Sequence, residues 1–305
     1  MAKILNLQVT LGCDKNCDAC IKFFECTSPI KRELYDSPGL KKIEKRLKDI
    51  KYKIVVLSGK GGVGKSTVTA NLAGALKKSG ARVGILDSDF YGPSMPTMMG
   101  VLGKKMAVDK SGRGLVAVET KSGIKVASVA STIEQQGYVT WMGEELRWGL
   151  FSFLGETQWG ELDFLLIDLP PGTGEETLNV MKAVRDLDGG VMVTMPSDLC
   201  QVVVGRCISL CQKAGTRVLG VIENMGTLEC LKCGKNIDVF LTGGGEKVCS
   251  STNVPFLGKI PLDPKVCDAS DAGEPFVLSY PDSKPSKMFM EIAKKIAEDV
   301  GYKLT

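Results

Sequence analysis

Apolar positions in this chain follow two rhythms. Short, nearly continuous apolar runs recur at Ile54–Leu57, Arg82–Leu86, Phe164–Ile167, Val191–Thr194, Arg217–Ile222 and Val254–Ile260. Runs of that length, bounded by turn residues, predict strands buried on both faces. Helical periods of 3.6 fall between them, over Thr67–Lys78 and Asp198–Ala214, and a last one closes the chain over Lys284–Val300. Trp141–Leu154 also predicts a helix; it carries two of the three tryptophans, for which a packing role is the default. Gly100–Thr140 is less regular, with short strands expected at Leu115–Val118 and Ile124–Val129. Strands and helices in alternation predict an α/β fold whose mostly parallel sheet carries helices on both faces.

Ahead of this pattern stands a different one. Ser37-Pro38 is a helix start, and Leu40, Ile43, Leu47 and Ile50 mark one apolar face, with Lys41, Lys42, Lys45, Arg46 and Lys48 opposite. The expected organisation is a Cys-rich segment over 1–30, a basic amphipathic linker helix over 31–52 that docks its apolar stripe, and a main domain over 53–305.

Composition adds limits. Apolar residues make up 44% and charged residues 24%, as in a soluble globular chain. No stretch has the apolar length of a membrane span, and Met1–Thr10 lacks the shape of a signal peptide, so the expected compartment is the cytoplasm. Residues 1–53 hold twelve Lys/Arg against seven Asp/Glu, while the rest of the chain is nearly neutral. A solvated face explains that excess better than nucleic acid or membrane, and neither is expected as a partner. There is no histidine. Acid–base chemistry through imidazole and Cys/His metal sites are therefore excluded.

The most specific motif is Gly59-Lys60-Gly61-Gly62-Val63-Gly64-Lys65-Ser66-Thr67, placed after a strand and before a helix. Its glycines let backbone N–H groups turn toward phosphate oxygens, Lys65 would reach the outer phosphates, and the Ser66 hydroxyl would ligate Mg²⁺. A nucleoside triphosphate is the expected ligand. Two further strands end in acids where open α/β sheets bind ligands. After the first, Asp87 would join the metal shell and Asp89 would orient or deprotonate a water; a structural alternative is that the pair caps the next turn. After the second, Asp168 fits the aspartate that holds Mg²⁺ directly or through water, and Pro170–Gly174 forms a hinged loop suited to sensing the γ-phosphate.

Eleven cysteines form the other chemical signal. Cys13, Cys17, Cys20 and Cys26 lie within fourteen residues, in a segment too short for its own core. The pattern leaves an iron–sulfur cluster, zinc and no metal open. Cys200, Cys207 and Cys211 share a predicted helix; Cys207 and Cys211 lie on one face, which a metal could use, but cysteine as a small buried residue is the favoured reading. Cys230 and Cys233 form a lone Cys-x-x-Cys, two ligands where a closed site needs four. A redox dithiol is one solution; two copies meeting on a two-fold axis is the more economical one.

Taken together, KGGVGKST (60–67), DSDFYGPSMP (87–96), DLPPGTGEE (168–176), ENM followed by CLKC (223–233), and GGGEK with PFLGKIPLDPKV (243–266) resemble the Mrp/Nbp35/ApbC family of P-loop ATPases, iron–sulfur cluster carriers of the deviant Walker A class. The resemblance covers about residues 51–280. It implies a homodimer in which Lys60 reaches the partner's phosphates, Asp87 and Asp89 form the second acidic motif, and Asp168 is Mg²⁺-linked. It also implies that Asn224 and the Pro261–Asp263 turn contact the adenine side, and that Cys230 and Cys233 bridge a labile [4Fe–4S] cluster for transfer to apo-proteins. Cys17, Cys20 and Cys26 resemble the Nbp35-like branch, which holds a further cluster per chain at its N-terminus. Only three residues separate Cys13 from Cys17, where the family leaves a longer gap. Two rival readings remain at this point: an ATP-driven reductase resembling nitrogenase iron protein, and a positioning ATPase resembling MinD or ParA.

Overall fold

The protein is described as a computed structural model that covers residues 17, 20, 22–28, 30–110, 112, 114–133, 140–230, 232–240 and 243–304. Eight strands form the central sheet: β1 (Ile50–Ser58), β2 (Val83–Asp87), β3 (Val118–Glu119), β4 (Lys125–Ser128), β5 (Leu162–Asp168), β6 (Gly189–Thr194), β7 (Val218–Glu223) and β8 (Phe256–Lys259). Their spatial order is β8-β7-β6-β1-β5-β2-β4-β3. All neighbours are parallel except the β3–β4 pair at one edge.

Two cores follow from the period-two alternation of strand side chains. Val55 and Leu57 of β1, with Leu165 and Ile167 of β5, enter one core. Ile54 and Val56, with Phe164 and Leu166, enter the other. Helices Pro38–Leu47, Glu144–Glu156, Glu175–Ala183, Asp198–Lys213 and Gly244–Thr252 contribute residues to the first core, and Lys65–Lys78 and Lys284–Asp299 to the second. Burial on both sides is why these strands are apolar at nearly every position.

The linker departs from expectation. Two helices, Ile30–Tyr35 and Pro38–Leu47, replace one, because Pro38 occupies the first turn of a new helix after Ser37. Leu40, Ile43 and Leu47 are buried as an apolar stripe. Ile50 is buried too, but as the first residue of β1, paired in register with Leu162. Strand β1 thus begins ahead of the expected boundary at residue 53. The Trp141–Leu154 helix runs instead from Glu144 to Glu156, after Gly143 at φ 54°. Trp141 packs edge-on to Phe90, whereas Trp148 is 60% exposed, so packing accounts for only one of the two. Of the short strands expected over 115–118, Leu115–Val116 leaves the main sheet for a small three-stranded one. Among the described residues no helix is long and apolar enough to cross a membrane.

Candidate functional site

Strand register assembles the site. β1 lies between β5 and β6, and β2 pairs with β5 so that Asp87 and Asp168 stand directly opposite one another at the strand ends. Val56 of β1 pairs with Asp168, which brings the loop that follows β1 over the same two carboxylates. Adjacent strands lie about 4.8 Å apart, so three remote stretches of sequence converge within a few ångströms.

The loop itself has the expected conformation. Gly62 and Gly64 adopt φ of 79° and 78°, a region that favours glycine. At Gly64 a Cβ would also lie 2.3 Å from Asn224 Nδ2, so only hydrogen fits. Helix Lys65–Lys78 begins immediately afterwards, with its first-turn N–H groups facing the loop. A cavity of about 230 Å³ is walled by Lys60 through Thr67 together with Ser58, Asp89, Ser94, Met98 and Pro171. Lys60 is exposed, while Lys65 is buried.

Asp168 is the hub. Lys65 Nζ donates to its Oδ2 at 2.5 Å and Ser66 Oγ to the same atom at 2.6 Å, while Thr69 Oγ1 donates to Oδ1 at 2.6 Å. Ser88 donates through both N and Oγ to the Asp168 carbonyl oxygen. Asp87 is 1% exposed and accepts from Ser128 Oγ and the backbone N–H groups of Asp89 and Met95. Burial, then the neighbouring Asp168 charge, push the Asp87 carboxyl up to about 7. A converging set of hydroxyl and carboxylate oxygens, two of them acidic, suits a hard divalent cation. Asp89 lines the cavity and accepts the Gly92 N–H at 2.9 Å, so it serves both as a turn cap and as a cavity wall.

Asn224 closes the loop from below: its Nδ2 donates to the Val63 carbonyl oxygen at 2.9 Å. Asp263 caps the helix Pro264–Asp271 through the Lys265 N–H, and Pro261 lies beside it in the same half-exposed turn. Neither is among the residues that wall the cavity. Sequence reasoning missed Thr69 and Ser128, which orient the two acids, and Met225, held at φ 57° next to Asn224. It also missed Glu176. Burial and the charges of Asp89 and Glu175 push that carboxyl up to about 7, and its Oε1 is solvent-excluded with no hydrogen-bond partner among the described residues.

The second site hangs from the end of β7. Hairpin strands Thr227–Glu229 and Asn236–Asp238 begin three residues after Asn224, and Gly226 N–H is tied to the Ile260 carbonyl oxygen at 3.0 Å. Cys230 and Cys233 form the tip, half-buried and exposed respectively. Gly234 N–H donates to the Cys230 carbonyl oxygen at 2.8 Å, which closes the turn. Backbone N–H groups of Lys232 and Cys233, and the Cys233 thiol, point at Cys230 Sγ and lower its thiol pKa.

The other described cysteines differ in exposure; Cys249 is buried and Cys267 exposed. Cys207 and Cys211 are fully buried, with thiols pushed up to about 11 and about 12 by burial, and they pack as apolar residues. Cys17, Cys20 and Cys26 are half-buried along successive three-residue turns, with Cys20 N–H on the Cys17 carbonyl and Cys26 N–H on that of Phe23. Cys13 lies outside the described residues. Among the described residues no three acidic or cysteine side chains are arranged to hold one metal ion.

A phosphate loop at the end of a parallel strand, with two strand-end aspartates beneath it, defines a P-loop nucleotide-binding protein. The family model described as ParA, NUBPL iron-transfer P-loop NTPase, matches residues 49–297, and the chain belongs to that family. It is 44% identical over 260 residues to the iron-sulfur cluster carrier protein of Saccharolobus solfataricus, covering 85% of this chain and 87% of that one. Its identity to the iron-sulfur cluster carrier protein of Methanocaldococcus jannaschii is 42% over 292 residues, 95% of this chain and 98% of the other. Among solved structures it is similar to the nucleotide-binding protein of Archaeoglobus fulgidus in complex with ADP. That match has a TM-score of 0.68 and 40% identity over 77% of this chain and 92% of that one.

Proposed function

We propose that this chain is a homodimeric, ATP-hydrolysing carrier that holds a [4Fe–4S] cluster between two copies and passes it to apo-proteins. The observation that carries the reading is the Cys230–Cys233 turn. Its N–H groups already favour thiolate at Cys230, and two thiols at an exposed tip make half of a four-thiolate site. The shared name of the archaeal relatives, iron-sulfur cluster carrier protein, supports the same cargo.

In this reading Ser66, Asp87 and Asp168 hold Mg²⁺, which when bound neutralises charge on the phosphate oxygens. The chain's own residues do the rest. Lys65 and Ser66 donate to Asp168; Lys65 would exchange that carboxylate for a phosphate oxygen, and the Ser66 hydroxyl would serve as an oxygen ligand to the cation. Backbone N–H groups of Gly59–Thr67 cradle the phosphates. Asp89 orients the attacking water. Exposed Lys60 reaches across to the partner's nucleotide, and Asn224 with Pro261 and Asp263 faces the adenine. Residues 1–30, with Cys13, Cys17, Cys20 and Cys26, hold a second cluster in each chain, and the protein works in the cytoplasm, off membranes and nucleic acid.

The test is anaerobic: iron, labile sulfide and zinc per chain, with oligomeric state, in wild type and in a Cys230→Ala/Cys233→Ala variant. The variant is expected to lose about half a cluster per chain, as one shared by two copies must. Iron content unaffected by the double change, or zinc without sulfide, would overturn the carrier reading.

A further inference from the structure

The N-terminal cysteine segment does not hang free of the nucleotide domain. Phe23, set between Cys20 and Cys26, is 1% exposed. The ammonium groups of Lys31 and Lys182 lie 4.6 and 4.9 Å from its ring centre, and Tyr35 and Phe24 meet it edge-on. The Arg185 guanidinium sits 4.2 Å from the Tyr35 ring centre. Glu25 pairs with Lys213. Lys182 lies in the last turn of helix Glu175–Ala183 and Arg185 two residues beyond its end, while Lys213 ends helix Asp198–Lys213. The segment is therefore clamped to the far ends of two helices.

The near ends of those helices lie at the phosphate site. Helix Glu175–Ala183 follows directly from Pro170–Gly174; there Pro171 borders the nucleotide cavity and Gly172 N–H donates to the Ser58 carbonyl oxygen at 2.7 Å. On the other helix Val203 packs so close to Gly59 that a Cβ on Gly59 would meet its backbone at 2.8 Å. A helix of nine residues is a rod of about 14 Å, so displacement at one end is delivered to the other. Room for displacement exists. A cavity of about 710 Å³ is bounded by Phe24 and Glu25 on one side and by Thr173, Leu178, Val202 and Arg206 on the others. Thr173, in the hinged loop, thus shares a cavity with the cysteine segment.

We infer that helix Glu175–Ala183 couples the phosphate site to the N-terminal cysteines. A shift of Pro170–Gly174 on nucleotide exchange moves Lys182 and Arg185, and with them Phe23 and Tyr35. Phe23 accepts from Cys26 N–H and donates to the Cys20 carbonyl, so its movement passes to both cysteine backbones. By reciprocity, whatever these cysteines bind changes nucleotide affinity by the same factor. The inference rests on nucleotide binding alone and not on the nature of the cargo.

The test uses reduced, metal-free full-length protein, so failure of the carrier reading leaves it intact. Alkylation rates of Cys20 and Cys26 are followed by peptide mass spectrometry without nucleotide, with Mg-ADP and with Mg-ATPγS, under binding verified by calorimetry. Exposed Cys267 is the internal reference. The rates at Cys20 and Cys26 are expected to differ by about fivefold or more between nucleotide-free and Mg-ATPγS protein, with Cys267 constant. Lys182→Met keeps the apolar stem and removes the cation; it should bring the ratio near one with nucleotide affinity within about twofold of wild type. Arg185→Gln, at an exposed position, gives the same comparison should Lys182→Met fold poorly. A wild-type ratio near one with nucleotide bound overturns the inference, and so does a wild-type ratio retained in the folded variants.

Discussion

Replacing Thr69 by valine isolates the hydroxyl that holds Asp168 from behind. Thr69 is fully buried, and its Oγ1 lies 2.6 Å from Asp168 Oδ1 and 3.0 Å from the Lys65 carbonyl oxygen. A hydroxyl has one proton, and the shorter contact to a charged acceptor takes it. Loss of a hydrogen bond to a charged group costs about 1.5–3 kcal/mol, and the added methyl returns about 0.8 kcal/mol through burial. The net loss is about 1–2 kcal/mol, or roughly 1.5–3 °C in Tm for a chain of this size. Lys65 and Ser66 also serve Asp168, at Oδ2, which softens the loss. In the proposed reading Mg-nucleotide would draw both away from Asp168 and leave Thr69 as the remaining side-chain donor of the three. Mg-ADP affinity should therefore fall about tenfold in Thr69→Val, as 1.4 kcal/mol requires. Thr69→Ser removes the methyl and keeps the hydroxyl, so its affinity should stay within about twofold of wild type. Calorimetric titration of the three proteins decides. Equal Mg-ADP affinity in the valine and serine variants would refute the reasoning, since packing alone would then explain both.

Three more predictions concern the same region. Gly64→Ala meets both a φ of 78° and Asn224 Nδ2 at 2.3 Å, so it should displace Asn224 from Val63 and weaken nucleotide binding by about tenfold or more in titration calorimetry; affinity within about twofold would show that the loop relaxes freely. Glu176, pushed up to about 7, is neutral in the fold at pH where it would ionise in the unfolded chain, so its contribution is present below pH 4.5 and is lost as pH rises through 7. Glu176→Gln should accordingly raise Tm relative to wild type at pH 8.5 and leave it unchanged at pH 4, and equal offsets at both pH values would count against the assignment. Asn71 is buried, donating to the Thr67 carbonyl and accepting from Val277 N–H at 2.9 Å. Asn71→Leu would orphan that N–H and lower stability by about 1–3 kcal/mol in urea unfolding; an unchanged midpoint would mean the 276–279 turn repacks.

Legibility in the sequence tracked how local each cause is. The phosphate loop, the strand-end acids and the double-sided apolar strands are each specified within about ten residues, and all were found where expected. Strand order is not local, and the opposition of Asp87 and Asp168 exists only because β2 lies beside β5. Thr69 carries no signal, being one turn inside a helix where threonine reads as an indifferent helix former. Glu176 looks like any acid in a first helical turn until Asp89 is seen to face it. Ile50 kept the spacing of the helix stripe and was assigned to it; the strand won because pairing with Leu162 buries the same side chain in an ordered ladder. Trp148 failed the packing default because it lies with Glu145 and Ser152 on the outward face of its helix, whereas Leu146, Leu150 and Phe153 take the inward one.

The same distinction separates the two routes from nucleotide to cysteine. Cys230 is joined to the phosphate loop by one hydrogen bond and a short run of chain: Asn224 donates to Val63, and six residues later the thiol stands on a hairpin whose root is pinned to Ile260 and Leu262. Cys20 and Cys26 are joined to it only by packing, through ring and cation contacts at the end of a helix. The first route tolerates surface substitutions, because strand and hairpin hydrogen bonds fix it. A packed route is sensitive to single side chains such as Lys182, because it consists of a few contacts that each contribute about 0.5–2 kcal/mol. In the proposed reading, nucleotide control of the hairpin should therefore survive changes that silence control of the N-terminal segment.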